Sequence, residues 1–485
     1  MKLLKYILSG VLVTVLATSC DKDFETINTN PNAPVVVPSS NLMTNIIFLG
    51  GNQLYSTFVN GDMGACWAHQ FSKVQYNDES RYIVRQSVIQ SFWDTFYTQF
   101  YSDAVSMQKL AIAEGNMTTH GVSLVLQAYA LSVLTDAYGG IPNAEAIQAT
   151  EGVFFPKYDA QDVVYDSIFA KLDRANMMLA SGQGDITPSF DIMYAGDASK
   201  WQKFANSLKI RGLMRISNKV DVSAELKATM AKPIFTSLSD AAKLVYLEEQ
   251  PNANPMYETV IYSGRKEWKV AATFVNMLQS MNDPRLPVCA NENGDGVIRG
   301  KPVGFINVPN DDYNYDNVSQ VGAFYTEATA PAYFLSFSEF QFLLAEAAQK
   351  GWINGSAESY YNAGIAASMA ENGITDGNAI STYMAGSGVA FNSGSALNQI
   401  GTQKWIALFG QGFESWTEWR RSVSGDNAKG IPALDPAAEA FYSSIPTRYN
   451  YPRNEQTTNS ANYKDAVSNL LTGDDLITTK VWWMN

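Results

Sequence analysis

The sequence predicts a mainly α-helical protein, in which tetratricopeptide-like helix pairs form a scaffold with a loop-rich ligand-binding face. Three observations predict it. Apolar residues recur at helical spacing through most of the chain after Asn41. Clusters of Gly, Pro, Asn and Asp separate these stretches. Two segments, 220–335 and 373–395, carry the same turn formers with only short apolar runs, as long functional loops do. The 485 residues are 46% hydrophobic and 17% charged, which supplies a large core and excludes a disordered chain. Asp plus Glu outnumber Lys plus Arg by 47 to 34, for a formal charge of −13. No stretch concentrates the lysine and arginine that phosphate binding requires, so nucleic acid is not an expected partner.

The first twenty residues read as an address. Lys2 and Lys5 precede an apolar run from Tyr6 to Leu16, and the small residues Ala17, Thr18 and Ser19 precede Cys20. The run is too short for a membrane span, which needs about twenty apolar residues, so 1–19 is expected to be a secretory signal. An ordinary signal peptide with an incidental cysteine is the alternative. The small residues before Cys20 resemble the cleavage box of bacterial lipoproteins, where that cysteine becomes the first mature residue and carries acyl chains. Residues 20–40 are then a lipid-anchored tether, acidic at Asp21–Glu25 and rich in Pro and Asn from Asn28. Acidic residues directly after the cysteine resemble the surface-export signal of Bacteroidetes lipoproteins. Residues 41–485 form a single helical domain.

Within that domain, Ser91 to Glu114 spaces Phe92, Phe96, Phe100, Met107 and Leu110 as one helix face, stopped by Gly115-Asn116. The Thr118 hydroxyl is expected to cap the next helix, which runs through Leu124, Leu131 and Leu134 to Gly139-Gly140. Asp159 is expected to cap a third, with Val163, Ile168, Leu172 and Met178 inward. Trp201, Phe204, Ala205, Leu208, Gly212 and Ile216 line one side of a fourth, opposite Lys203, Lys209, Arg211 and Arg215. Ser338–Lys350 and Ser356–Met369 form a helix pair across a Gly-Trp-Ile-Asn-Gly turn, with Ala345, Ala348, Ala363 and Gly364 permitting close approach. That length matches the unit of tetratricopeptide arrays. Repeat identity is weak, so pairs are expected and not a regular solenoid.

A search for chemistry finds no phosphate-binding loop, no HExxH, no GxSxG and no dinucleotide fingerprint. Two histidines and three cysteines are too few for a structural zinc site or a disulfide framework. His120 reads as a solvated structural residue, and His69 as a polar residue beside the binding surface. Asn291–Gly296 has alternating oxygen donors like the opening of a calcium loop, but its twelfth position is Pro302, which favours a plain β-turn and no metal. Glu414 and Glu418 lie one turn apart beside Arg420 and Arg421, which points to ion pairs, with Phe413, Trp416 and Trp419 as the packed side of that helix. No catalytic residue and no cofactor are expected.

What remains is an aromatic surplus of 10 Trp, 25 Tyr and 24 Phe. Flat rings stack on the C–H faces of sugars while neighbouring amides, acids and guanidiniums bond the hydroxyls, and such platforms need no catalytic group. Tyr76, Asn77, Asp78, Arg81 and Tyr82 combine both kinds of side chain, flanked by Trp67 and Gln70. Tyr257, Tyr262, Arg265 and Trp268 form a second set, followed by Asp312, Tyr313, Tyr315, Phe324 and Tyr325.

Several strings taken in order resemble the SusD/RagB-type nutrient-binding lipoproteins of Bacteroidetes, in the SusD-like branch. They are Trp93–Tyr97, Thr135–Glu145, Pro156–Ala175, Trp201–Ser217, Asp283–Arg285, Phe340–Gly351, Gln403–Arg421 and Val481–Trp483. The resemblance implies tetratricopeptide-like helix pairs and a non-enzymatic protein, anchored to the outer membrane at Cys20 and facing outward. It also implies capture of a nutrient, usually an oligosaccharide, and delivery to a TonB-dependent β-barrel of the SusC type, over which the lipoprotein sits as a lid. The loop Val74–Arg85 occupies the place, just before the Trp93–Tyr97 string, where family members present ligand contacts, so Tyr76, Arg81 and Tyr82 are the first candidates. Trp67, Trp268, Tyr313 and Tyr325 follow from loop position and chemistry. Two rival readings stay open: binding of peptide or another nutrient on the same scaffold, and a surface glycosidase.

Overall fold

A computed structural model describes residues 37–305, 311–424, 434 and 436–484. The signal segment, Cys20 and most of the tether lie outside these residues. Helix α1 (Asn41–Tyr55) opens the fold and runs into a π-helical turn, Thr57–Ala65. The next helix begins earlier than its apolar spacing suggested. Gln86–Asp94 (α2), a π-helical stretch Thr95–Tyr101 and Ser102–Ala113 (α3) follow one another without a break, and Phe92, Phe96, Phe100 and Met107 are buried along it. Gly115, at a φ of 68°, ends the run in the left-handed conformation that glycine adopts without strain.

Helix α4 (Met117–Tyr138) is the centre of the core, with every residue after Met117 buried, the polar His120, Gln127 and Asp136 included. Its cap is Asn116, whose Oδ1 accepts from the Thr119 amide at 2.9 Å. Thr118, the expected cap, instead donates its hydroxyl to the carbonyls of Gln183 and Gly184. Helix α5 (Gln161–Ala180) starts after Asp159, which lies in a short strand and accepts from the Ala144 amide at 2.7 Å. One helical position separates expectation from outcome here: Val164 is fully buried, whereas Val163 is 46% exposed.

Helix α6 (Ala198–Ile216) buries the expected apolar side. Its cationic side is also inside, since Lys209, Arg211 and Arg215 are all buried. Buried charges must be paired, and the partners come from distant chain. Arg215 Nε lies 3.2 Å from Asp136 on α4 and its Nη1 3.3 Å from Glu418, and Arg215 also pairs with Glu414. Glu418 in turn meets Lys404 at 2.9 Å and Arg421, and Arg421 pairs with Glu346.

The expected helix pair is present as α9 (Phe337–Gln349) and α10 (Ala357–Glu371). Ser336 and Ser356 cap them by accepting from the amides three residues on, Glu339 and Ser359, each at 3.2 Å. A Cβ on Gly364 would stand 2.7 Å from the Phe342 ring, so glycine sets how closely the pair packs. The loop-rich stretches hold more regular structure than their composition suggests. Residues 220–335 include α7 (Ser223–Met230) and α8 (Ala272–Ser280), and 373–395 include α11 (Gly377–Met384). Helices α12 (Ala396–Ala407) and α13 (Gly412–Ser422) complete the ion-pair network, the latter burying Phe413, Trp416 and Trp419. Among the described residues, six short strands form three antiparallel pairs: β1 (Phe71–Lys73) with β5 (Trp268–Val270), β2 (Ile141–Pro142) with β3 (Tyr158–Asp159), and β4 (Ala242–Leu244) with β6 (Ala332–Leu335). The first pair bridges the two stretches in which recognition is expected.

Candidate ligand-binding face

Register fixes the site. Lys73 pairs with Trp268 and Ser72 with Lys269, so the loop following β1 meets the loop preceding β5. Trp268 is 2% exposed and inserts beside Gly61, where a Cβ would stand 2.8 Å from its indole nitrogen. That nitrogen donates to Asp62 at 2.8 Å, and Lys73 reaches the same carboxylate at 2.9 Å. Burial lifts the Asp62 carboxyl to about 6 against the opposing pull of Lys73.

Above this buried base the surface is aromatic. Tyr76, held at a φ of 52°, is 60% exposed. The Arg265 guanidinium lies between it and the base, 5.6 Å from the Tyr76 ring and 5.3 Å from the Trp268 ring, and also pairs with Glu267. Tyr315 is 40% exposed, and its hydroxyl donates to Gln75 at 2.7 Å. Beneath Tyr315, the Lys269 ammonium donates to its carbonyl at 2.7 Å, and burial lowers that lysine to about 8. Tyr313 is half-buried, stacks on Phe305 at 6.2 Å and receives the Arg299 guanidinium at 5.2 Å. Asn77 donates to the Phe305 carbonyl and closes the link between the two loops.

The expected residues therefore divide. Tyr76 and Tyr313 reach this face, together with Tyr315 and Arg265 from the second set, whereas the Arg81 side chain is largely buried and turns to Asp78 and the Glu439 carbonyl. Trp67, Tyr82 and Trp268 do not reach it either, because each is fully or almost fully buried. Trp67 donates to the Glu79 carbonyl at 2.8 Å and packs edge-on against Trp416, and the Tyr82 hydroxyl accepts from the Ala437 amide at 2.8 Å. They support the loop and are not its contact surface. Tyr325 lines a separate crevice with Tyr55, Phe71, Asn254 and Phe409, its hydroxyl bound to Asn372.

Other expectations meet plainer outcomes. His120 is 3% exposed and hydrogen-bonded to Gln108 at 3.0 Å, buried where a solvated residue was expected, and burial lowers its pKa. His69 is buried as well, in a left-handed turn at a φ of 54°. The Asn293 side-chain oxygen accepts from the amides of Asp295 and Val297, so the 291–296 segment is the turn its sequence favoured. Among the described residues, no group of three or more His, Cys, Asp or Glu side chains could hold a metal ion.

The fold and this face define a helical scaffold that presents stacking and hydrogen-bonding side chains on loops. A family model described as SusD-like, starch-binding and associating with the outer membrane matches residues 31–452, and the chain belongs to this SusD-like family. Solved structures share the fold. A chitin-binding protein superposes with a TM-score of 0.81 at 25% identity, covering 92% of this chain and all of its own. A SusD homolog from Bacteroides uniformis gives 0.78 at 24%, and a chitin-binding SusD homolog from Flavobacterium johnsoniae 0.77 at 24%, each covering 92% of this chain and 98% of its own. No curated protein matches the chain.

Proposed function

We propose that this protein is a non-enzymatic cell-surface lipoprotein, anchored through Cys20, that holds a nutrient glycan on the Tyr76 face and passes it to a SusC-type TonB-dependent barrel in the outer membrane. The observation that carries the reading is the Tyr76–Arg265–Trp268 stack, an exposed ring braced from below by a cation and a buried indole. Family membership and the starch-binding description of that family support a sugar as the ligand. Binding proceeds by stacking on Tyr76 and hydrogen bonding to flanking polar groups, each stacked ring contributing about 1 kcal/mol beyond its buried area. Several weak subsites then sum to useful capture.

Titration of the mature protein against a panel of oligosaccharides and peptides tests the reading. It predicts binding to at least one glycan, loss of that binding in Tyr76→Ala, and no new reducing ends after prolonged incubation. Selective peptide binding, or a cleaved glycan, overturns it. Membrane fractionation of Cys20→Ser tests the anchor, since the variant is then released from the envelope fraction.

A further inference from the structure

We infer that Phe441 is a second stacking platform for the glycan, seated beside the loop that carries Tyr76. The inference rests on the glycan reading above and adds a residue from a part of the chain that neither aromatic set includes.

Phe441 is 68% exposed, more than Tyr76 itself. An exposed phenylalanine on a loose tail would mean little, but this one is held. Its amide donates to the Arg81 carbonyl at 2.9 Å, and Arg81 returns a bond from Nε to the Glu439 carbonyl at 2.8 Å. Earlier in the same segment, the Ala437 amide donates to the Tyr82 hydroxyl at 2.8 Å, and the Ala438 amide to the Val303 carbonyl at 3.1 Å. A Cβ on Gly304 would stand 2.4 Å from the Ala437 Cβ, so the segment is seated tightly against the loop leading to Phe305. Tyr442 then meets the Phe441 ring edge-on, with centroids 5.1 Å apart.

The 437–442 segment is thus bonded both to the loop that carries Tyr76 and to the loop that leads to Phe305 and Tyr313. A ring fixed in this way loses little conformational freedom when a ligand covers it, which is the condition for a useful platform. Phenylalanine has no polar tip, so its contact is with an apolar face, as the C–H side of a pyranose supplies. One sugar ring covers one aromatic ring. A second platform on a separate segment therefore gives a longer sugar chain a contact that its disaccharide lacks.

The test is calorimetric titration of the mature chain in detergent with chitohexaose, chitobiose, maltoheptaose and maltose. The wild type should bind one of the longer sugars about tenfold more tightly than its disaccharide. Phe441→Ala should remove that length advantage at an unchanged melting temperature, Phe441→Trp should restore it, and Tyr76→Ala should weaken the long sugar as well. If Phe441→Ala binds the long sugar as the wild type does while Tyr76→Ala does not, the inference is wrong and the glycan reading stands. If the wild type binds none of the four, the reading fails and takes the inference with it.

Discussion

The Arg265 guanidinium lies 5.6 Å from the centre of the Tyr76 ring, although the two residues are almost two hundred positions apart in the chain. The contact arises because β1 and β5 pair, which brings the loop after one strand over the loop before the other. A cation over an aromatic face is worth about 0.5 to 1 kcal/mol at an exposed site. That is small for stability, but enough to keep one ring orientation populated when no ligand is present.

Tyr76 and Trp268 should therefore separate binding from folding. Tyr76→Ala removes an exposed ring and is expected to weaken glycan binding about tenfold, with thermal unfolding unchanged. Trp268→Ala empties a buried site and is expected to cost on the order of 3 to 5 kcal/mol of stability. Paired titration and thermal melts check this. A stable, binding-deficient Trp268→Ala would place that indole on the ligand after all.

The ion-pair network supplies a second test. Glu418 lies against Arg215, Arg421 and Lys404, and these cations, Arg421 foremost, hold its carboxyl well below the usual range in spite of burial. Glu418→Gln leaves three buried cations short of charge, and the expected loss is on the order of 3 to 5 kcal/mol. Urea unfolding of the variant measures it, and a loss under 1 kcal/mol would mean that water already screens the cluster.

This network also shows where the sequence is legible and where it is not. The pair α9–α10 can be read locally, because its capping serines and its small residues all lie within one stretch of about forty residues. The cationic side of α6 cannot. Arg215 looks like a solvated residue until Asp136, Glu414 and Glu418 are brought to it from elsewhere in the chain. The candidate face shows the same limit. Aromatic supply points to loops that the β1–β5 pairing brings together, but whether an indole is exposed or buried depends on a glycine such as Gly61 opening room for it. Phe441 carries no local signal, since only the bond of its amide to the Arg81 carbonyl sets it beside the loop that carries Tyr76.

Stability should pass through a maximum at mildly acidic pH. The Arg421 guanidinium holds Glu346 at about 2, below the ordinary 4.5, so the unfolded chain binds more protons between those values and stability rises with pH there. Burial lifts Glu371 to about 7, so between 4.5 and 7 the folded state binds more protons and stability falls as pH rises. Asp62, at about 6, acts in the same direction. Denaturant unfolding from pH 3 to 8 should show both limbs, with the falling one reduced in Glu371→Gln, whose neutral amide has no proton to lose. An unchanged falling limb in that variant would show that Glu371 does not drive it.

Gly412 offers the sharpest packing test, because it begins α13 where that helix touches the π-helical turn leading to the candidate face. A Cβ there would lie 2.0 Å from the Asn60 carbonyl oxygen and 2.5 Å from the Ala65 amide, and a Cβ on Gly64 would lie 2.4 Å from the Gly412 carbonyl carbon. The two segments meet backbone to backbone, pinned by the Gly412 amide donating to Asn60 Oδ1 at 2.6 Å. Neither side can yield by rotating a side chain. Gly412→Ala should cost on the order of 1 to 3 kcal/mol, as overpacking does. It should also weaken glycan binding, since the displaced turn carries Asp62, the hydrogen-bond partner of Trp268 beneath Arg265 and Tyr76. Gly377→Ala is the matched control, for nothing lies within 4 Å of the added Cβ and the residue opens α11. That variant should melt at or slightly above the wild-type temperature. Equal behaviour of the two alanines would show that α13 and the turn can separate freely, and would remove the link between this contact and the face above it.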